Sequence, residues 1–251
     1  MNKIGTVDLT LILPLYNEGS ALSANLNYIV ETLQCKSTLS FELLLIDDGS
    51  GDTTAQNARQ FAQSHSTLCE FIQHTHNIGR GAIVAEGLRR ARGTVTGFID
   101  VDCEASPLYI LDFVPDILMN KVDIITGVRI YPFAVSTLLR ATMSVTYRML
   151  VKNMTGSQFT DTRAGYKFFR TEAILPLLRY CKHPGWFWDT EVLVVSSLAG
   201  LRVQQRPILF FRDTSKKSTV RLAHDTTVLV RDLLVFRQQL PSIREQIKRH
   251  G

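Results

Sequence analysis

The first hundred residues repeat one pattern: a short apolar, β-branched run, a polar break, then a segment with helical spacing. Val7-Asp8-Leu9-Thr10-Leu11-Ile12-Leu13 reads as a buried first strand that stops at Pro14. Asn17-Glu18-Gly19-Ser20 then opens a helix through Leu22, Leu26, Ile29, Val30 and Leu33. Phe41 to Ile46, Cys69 to Ile72 and Thr94 to Ile99 are further strand-like runs. Helices are predicted between them from Thr53 to Ser64 and from Gly81 to Arg92, the second with Ala82, Ala85 and Leu88 on one side. Such alternation predicts right-handed crossovers in an α/β fold whose mostly parallel central sheet is flanked by helices.

In sheets of this kind ligands sit beyond the carboxyl ends of the strands. Three polar clusters fall at those ends: Pro14 to Glu18, Asp47-Asp48-Gly49-Ser50, and Asp100-Val101-Asp102. Any one of them could be a turn or a helix cap. Three converging on one edge mark a site. Asp100, Asp102 and nearby Glu104 place several carboxylates on one short turn, where they would raise one another's pKa. A hard divalent cation such as Mg²⁺ or Mn²⁺ removes that conflict and would also neutralise a diphosphate.

The second half is less regular. Helices are expected from Pro107 to Met119, from Phe133 to Val151 and from Thr190 to Ala199. Strands are expected at Asp123 to Gly127 and Tyr166 to Arg170, with a strand pair or one bent strand from Leu201 to Phe211. Beyond Val220 a helix runs to Gln239, is interrupted at Pro241, and gives way to the basic stretch Arg244 to His250. The simplest division is one domain over 1–220 and a helical, basic C-terminal extension over 221–251.

At 251 residues, 45% hydrophobic and 20% charged, the chain has the composition of a globular domain with a sizeable core. Its net charge of +5 favours a phosphorylated ligand or an anionic surface, but does not specify nucleic acid. Cys35, Cys69, Cys103 and Cys181 are far apart and lack CxxC spacing, which predicts reduced thiols in a cytoplasmic protein. No stretch has the length and apolarity of a membrane span, and the N-terminus shows no signal-peptide pattern. A glycine-rich phosphate loop after the first strand would point to a nucleotidyltransferase, and GxGxxG there to a dehydrogenase; Pro14-Leu15-Tyr16-Asn17-Glu18 is neither.

The ordered set Leu13-Pro14-Leu15-Tyr16-Asn17-Glu18, Leu45-Ile46-Asp47-Asp48-Gly49-Ser50-Gly51-Asp52-Thr53, Asn77-x-Gly79-Arg80-Gly81 and Asp100-Val101-Asp102 resembles glycosyltransferase family 2. Thr126-Gly127-Val128-Arg129, Asp161-Thr162-Arg163-Ala164-Gly165-Tyr166-Lys167 and Trp188-Asp189-Thr190-Glu191 continue the likeness, which is greatest to the dolichol-phosphate mannose and glucose synthase branch. The resemblance implies a GT-A nucleotide-diphospho-sugar transferase fold and an inverting, metal-dependent transfer from a UDP- or GDP-sugar to a polyprenyl phosphate. By position it implies that Pro14, Tyr16, Glu18, Asp48, Gly79, Arg80 and Asp100 hold the donor, and that Asp102 and Glu104 hold Mg²⁺ or Mn²⁺. Of the catalytic set Asp161, Arg163 and Glu191, Asp161 would lie near the reacting carbon, Arg163 would help hold a phosphate, and Glu191 would stand near the site on a helix. Arg129, Arg212, Lys216 and Ser218 would take the acceptor phosphate.

Two departures stand out. The branch often ends in an Arg…Gly-x-Ser-Lys stretch, whereas here Arg212-Asp213-Thr214-Ser215-Lys216-Lys217-Ser218 lacks the glycine and displaces the lysines, while keeping cationic and hydroxyl groups suited to phosphate. Many relatives also carry C-terminal membrane spans. The Leu138, Leu139, Met143 and Arg140, Arg148 pattern, and the Leu229, Leu233, Phe236 and Arg231, Arg237 pattern, fit a peripheral membrane contact. They fit equally a helix packed on a sheet with a solvated basic face. Transfer to a saccharide or other hydroxyl, and sugar-nucleotide binding without catalysis, are the competing readings; Asp102 together with Asp161 argues against the last.

Overall fold

The computed structural model describes residues 4–131, 148–211 and 222–250. The helix expected from Phe133 is therefore described only at 148–155, and Arg212, Lys216 and Ser218 lie outside the described residues.

In chain order the elements are β1 (Val7–Leu15), α1 (Leu22–Lys36), β2 (Phe41–Asp47), α2 (Thr54–Ser64), β3 (Cys69–Gln73), α3 (Arg80–Arg90) and β4 (Gly93–Ile99). There follow α4 (Ile110–Leu118), β5 (Ile124–Ile130), the helical stretch α5 (148–155), β6 (Tyr166–Arg170), the short α6 (Thr171–Ile174), α7 (Trp188–Leu198), β7 (Val203–Leu209) and α8 (Leu222–His250). One seven-stranded sheet runs in the order β3-β2-β1-β4-β6-β5-β7. It is parallel except at β6, which lies antiparallel between β4 and β5.

Period-two alternation sends successive side chains of each strand to opposite faces. Leu11, Leu13, Leu43 and Leu45 pack with Leu26, Ile29 and Phe61 of α1 and α2 on one face. Ile12, Leu44, Ile46 and Phe98 pack with Val84 and Leu88 of α3, Trp188 and Val192 of α7, and Leu233 and Phe236 of α8 on the other. Burial on both faces explains why the strands read as continuous apolar runs.

Two expectations need correction, and one open alternative is decided. β1 does not stop at Pro14 but continues to Leu15. The Leu15 carbonyl accepts the Asp48 N–H at 2.9 Å, so Pro14 faces the β4 side, where pairing has already ended at Ile12↔Phe98. Its missing donor costs no ladder bond there. Of the strand pair or single bent strand expected from Leu201 to Phe211, the structure has one strand, β7, followed by an antiparallel bridge between Ala105 and Phe210. α8 is not interrupted at Pro241. Leu240 and Ile243 on either side of the proline are both buried in the core, and that packing offsets the lost backbone bond.

Candidate active site

The carboxyl ends of β1, β2 and β4 come together on one edge, as parallel register requires. After β1, Asn17 takes a left-handed φ of 56° and is stitched to the loop after β2. Its N–H donates to Ser50 Oγ at 2.9 Å and its Oδ1 accepts the Gly51 N–H at 2.9 Å. Asp47 accepts from both the N–H and the hydroxyl of Ser50, which makes it a loop anchor. Asp48 is buried and accepts the Ile78 N–H at 2.7 Å and the Gly79 N–H at 3.1 Å. Burial raises its carboxyl pKa, and the two backbone donors offset part of that rise. Pro14 is buried beside it, Tyr16 is exposed, and the Glu18 backbone is tied to Thr54 Oγ1 at 2.8 Å.

A chain of charges lies under this edge. Arg80, at the N-terminus of α3, donates to Asp100 Oδ1 at 2.6 Å and to Asp189 Oδ2 at 2.7 Å. Its guanidinium lies 5.1 Å from the Phe98 ring centre and 4.8 Å from that of Trp186. Lys167 is 0% exposed and donates to the Ala164 carbonyl at 2.5 Å and to Asp189 Oδ1 at 3.1 Å. Burial lowers the Lys167 pKa, against the opposing pull of Asp189. Asp189 thus bridges two cations, an arrangement that holds Arg80 toward Asp100.

Beside Asp100 a small cleft is lined by Asp100, Asp102, Arg129, Tyr166, Ile208 and Phe210. Asp102 Oδ1 accepts the Glu104 N–H at 3.1 Å, and the Glu104 carbonyl accepts the Phe211 N–H at 2.8 Å. Among the described residues no three His, Cys, Asp or Glu side chains gather at metal-binding spacing. Arg129, on β5, grips Asp161 in a fork: Nε to Oδ2 at 2.8 Å and Nη2 to Oδ1 at 2.9 Å. Burial alone would raise the Asp161 carboxyl, but the Arg129 charge and its hydrogen bonds outweigh it and hold the group below the usual carboxylate range. Arg163 is half-buried two residues further on.

Glu191 is placed differently from the others. It is buried on α7 and accepts the His183 N–H at 2.9 Å, and it is not among the residues lining the cleft. Asp189, two positions earlier on the same helix, is the carboxylate that reaches Arg80. Sequence reading missed Asp189, Lys167 and Trp186 as site residues. The available signal was a lysine inside the aromatic run Tyr166-Lys167-Phe168-Phe169, since a buried strand lysine requires a carboxylate partner.

Comparison with known proteins identifies the family and the fold. A 30% identity over 241 residues relates the chain to Glycosyltransferase AglD of Haloferax volcanii, covering 93% of this chain but 36% of that protein. Dolichyl-phosphate beta-glucosyltransferase of Saccharomyces cerevisiae is 25% identical over 249 residues, covering 91% of this chain and 74% of the enzyme. The fold matches glucosyl-3-phosphoglycerate synthase of Mycobacterium tuberculosis, crystallised with Mn²⁺, UDP-glucose and phosphoglyceric acid, at a TM-score of 0.69 and 16% identity over 93% of this chain and 80% of that one. That structural likeness places the chain in the GT-A fold. The family model for glycosyl transferase family 2 matches residues 10–177, which run from within β1 through β6 and include the Arg80–Asp100 pair and the Arg129–Asp161 fork: the chain is a glycosyltransferase belonging to that family.

Proposed function

We propose that this glycosyltransferase moves a sugar from a nucleoside-diphosphate sugar to a polyprenyl phosphate, with inversion and with help from Mg²⁺ or Mn²⁺. The observation that carries the acceptor assignment is the Arg129–Asp161 fork at the cleft. A carboxylate held ionised by a bidentate guanidinium is a weak base. A hydroxyl acceptor needs a base to take its proton, whereas a phosphate arrives already ionised. Arg129 can pass from Asp161 to such a phosphate, since both present the planar pair of oxygens that a guanidinium recognises. Ile130, Tyr131, Leu209 and Phe211, exposed at the ends of β5 and β7, supply an apolar border for a lipid chain next to Arg129. The names of the yeast and other dolichyl-phosphate relatives support the same acceptor.

The donor would occupy the edge formed by Pro14, Tyr16, Glu18, Asp48, Gly79, Arg80 and Asp100. Asp102, with Glu104, would hold the metal. One or two carboxylates fit a Mg²⁺ or Mn²⁺ that completes its shell with diphosphate oxygens and water, so the lack of a three-carboxylate cluster among the described residues is compatible with this role. The ion would neutralise charge on the departing nucleoside diphosphate. An acceptor phosphate oxygen attacks the anomeric carbon as the bond to the leaving diphosphate breaks, which inverts the configuration. Asp161 and Arg163 then place the acceptor, and Arg212, Lys216 and Ser218 would add to its phosphate site.

The test is product formation with Mn²⁺, a panel of UDP- and GDP-sugars and a short-chain polyprenyl phosphate, read by mass spectrometry. A glycosylated lipid phosphate is the expected product. Transfer to saccharide hydroxyls with none to the lipid phosphate would overturn the acceptor assignment and leave the transferase class intact.

A further inference from the structure

Outside the donor and acceptor residues, a polar contact joins the C-terminal helix to the loop before α7. His183 Nε2 lies 3.0 Å from Asp232 Oδ2 on α8. The other ring nitrogen, Nδ1, accepts the Gly185 N–H at 3.1 Å, so in this arrangement the ring proton sits on Nε2 and is donated to Asp232. The His183 backbone N–H goes to Glu191 on α7. The imidazole also meets Phe187 edge-on at 5.4 Å, and Phe187 meets Phe236 of α8 at 5.6 Å. One residue is therefore bonded to α7, to α8 and to its own loop.

The residues that follow reach the N-terminus of α3. The Pro184 carbonyl accepts the Ala82 N–H at 2.9 Å. A Cβ on Gly81 would fall 2.8 Å from the His183 carbonyl oxygen and 2.7 Å from that of Gly185, so the loop lies directly against the helix. Trp186 then extends over the Arg80 guanidinium while remaining 54% exposed. A ring with half its surface in solvent is held largely by its backbone, and that backbone is fixed at His183.

We propose that His183 and Asp232 are a positioning pair. They seat the 183–186 loop so that Trp186 covers Arg80 and keeps it turned toward Asp100, which makes donor binding depend on the docking of α8. The proposal rests on the assignment of Arg80 and Asp100 to the donor site. Every link is a direct contact: Asp232 to His183, Pro184 to Ala82, Trp186 to Arg80, and Arg80 to Asp100.

Three variants of the full chain isolate the pair. Asp232→Ala removes the acceptor for Nε2–H, whereas Asp232→Asn retains one. His183→Asn retains an oxygen that can accept the Gly185 N–H but cannot reach Asp232, and serves if Asp232→Ala does not fold. Trp186 and Trp188 are the two tryptophans, and Trp188 is 1% exposed, so acrylamide quenching of fluorescence reads Trp186. Asp232→Ala and His183→Asn are expected to raise the quenching constant by about twofold and the donor KM by about fivefold, with kcat changed by less than about twofold. Asp232→Asn is expected to restore both. Wild-type quenching in a folded Asp232→Ala or His183→Asn protein overturns the proposal. If the wild type binds no UDP or GDP with Mn²⁺, the donor-site assignment fails, and the quenching contrast still decides whether the pair positions the loop.

Discussion

At the residue scale the site separates carboxylates that look alike in the sequence. Asp161 is ionised and forked by Arg129, while Glu191 is buried against backbone, and these environments predict different behaviour. Asp161→Asn should lower kcat on a phosphate acceptor by roughly tenfold with donor KM little changed; a loss beyond about a hundredfold would mean that Asp161 does more in the chemical step than place the acceptor. Glu191 is a stability group. Burial raises its folded pKa, with only partial relief from the backbone donors of His183 and Lys182, so the folded state keeps a proton that the unfolded chain releases near about pH 4.3. The stability this confers is fully present below the unfolded value and is lost as pH rises through the folded value. Glu191→Gln keeps an acceptor oxygen for the His183 N–H and has no charge to bury. Thermal melts should therefore coincide near about pH 4 and favour the variant by a few degrees near about pH 8; equal melting at both would remove the burial argument. The motif Trp188-Asp189-Thr190-Glu191 could not say which carboxylate faces the site, because residues two apart on a helix point to nearly opposite sides and the partner, Arg80, lies over a hundred residues away.

Among the elements, the strands and first helices were legible because burial on both sheet faces writes apolar runs into the sequence, and because Leu22, Leu26, Ile29, Val30 and Leu33 keep a single helical face. The position of β6 was not legible, since its antiparallel insertion between β4 and β5 depends on pairing partners distant in the chain. α3 shows the same limit. Ala82, Ala85 and Leu88 were read as one side, yet Ile83 and Val84 are buried as well and Ala82 is only partly covered. The helix lies between the sheet and the 183–188 segment, which no local period reveals. Gly79 and Gly81 record that second contact. Gly79 has a φ of 102°, and a Cβ on Gly81 would fall 2.4 Å from Trp188 Cβ as well as against two carbonyls. Gly81→Ala should therefore destabilise the protein by about 1–3 kcal/mol, although alanine normally favours a helix, because neither backbone nor the Trp188 Cβ can step aside. Urea denaturation measures this, and a stabilised variant would mean that the loop does not sit against α3.

For the molecule as a whole the question is whether α8 is an appendage or part of the cooperative unit. Its basic, amphipathic sequence fits both a bilayer surface and a protein core, and composition cannot decide between them. The described side chains divide: Leu229, Leu233, Phe236, Leu240 and Ile243 are buried in the cluster that contains Trp188, Val192 and the inner face of β1 and β2, whereas Val228, Leu234 and Val235 are exposed. The buried stripe recurs every three or four residues through Pro241, so the helix is attached to the core from Leu229 to Ile243. Its anchors Asp232 and Phe236 meet the loop that carries Trp186, so loosening it would disturb the donor edge as well. Leu233→Ala, at a fully buried position, should lose about 2–5 kcal/mol and shift the melting of the entire chain. The informative measurement follows urea unfolding by far-ultraviolet circular dichroism, which reports all the helices, and by tryptophan fluorescence, which reports the Trp186–Trp188 region. Coincident curves that move together in the variant make α8 part of one folding unit. An early transition confined to the dichroism signal, with fluorescence unmoved, would mean that α8 melts independently, and the exposed Leu234 and Val235 would then be read as one side of a helix free to seek another surface.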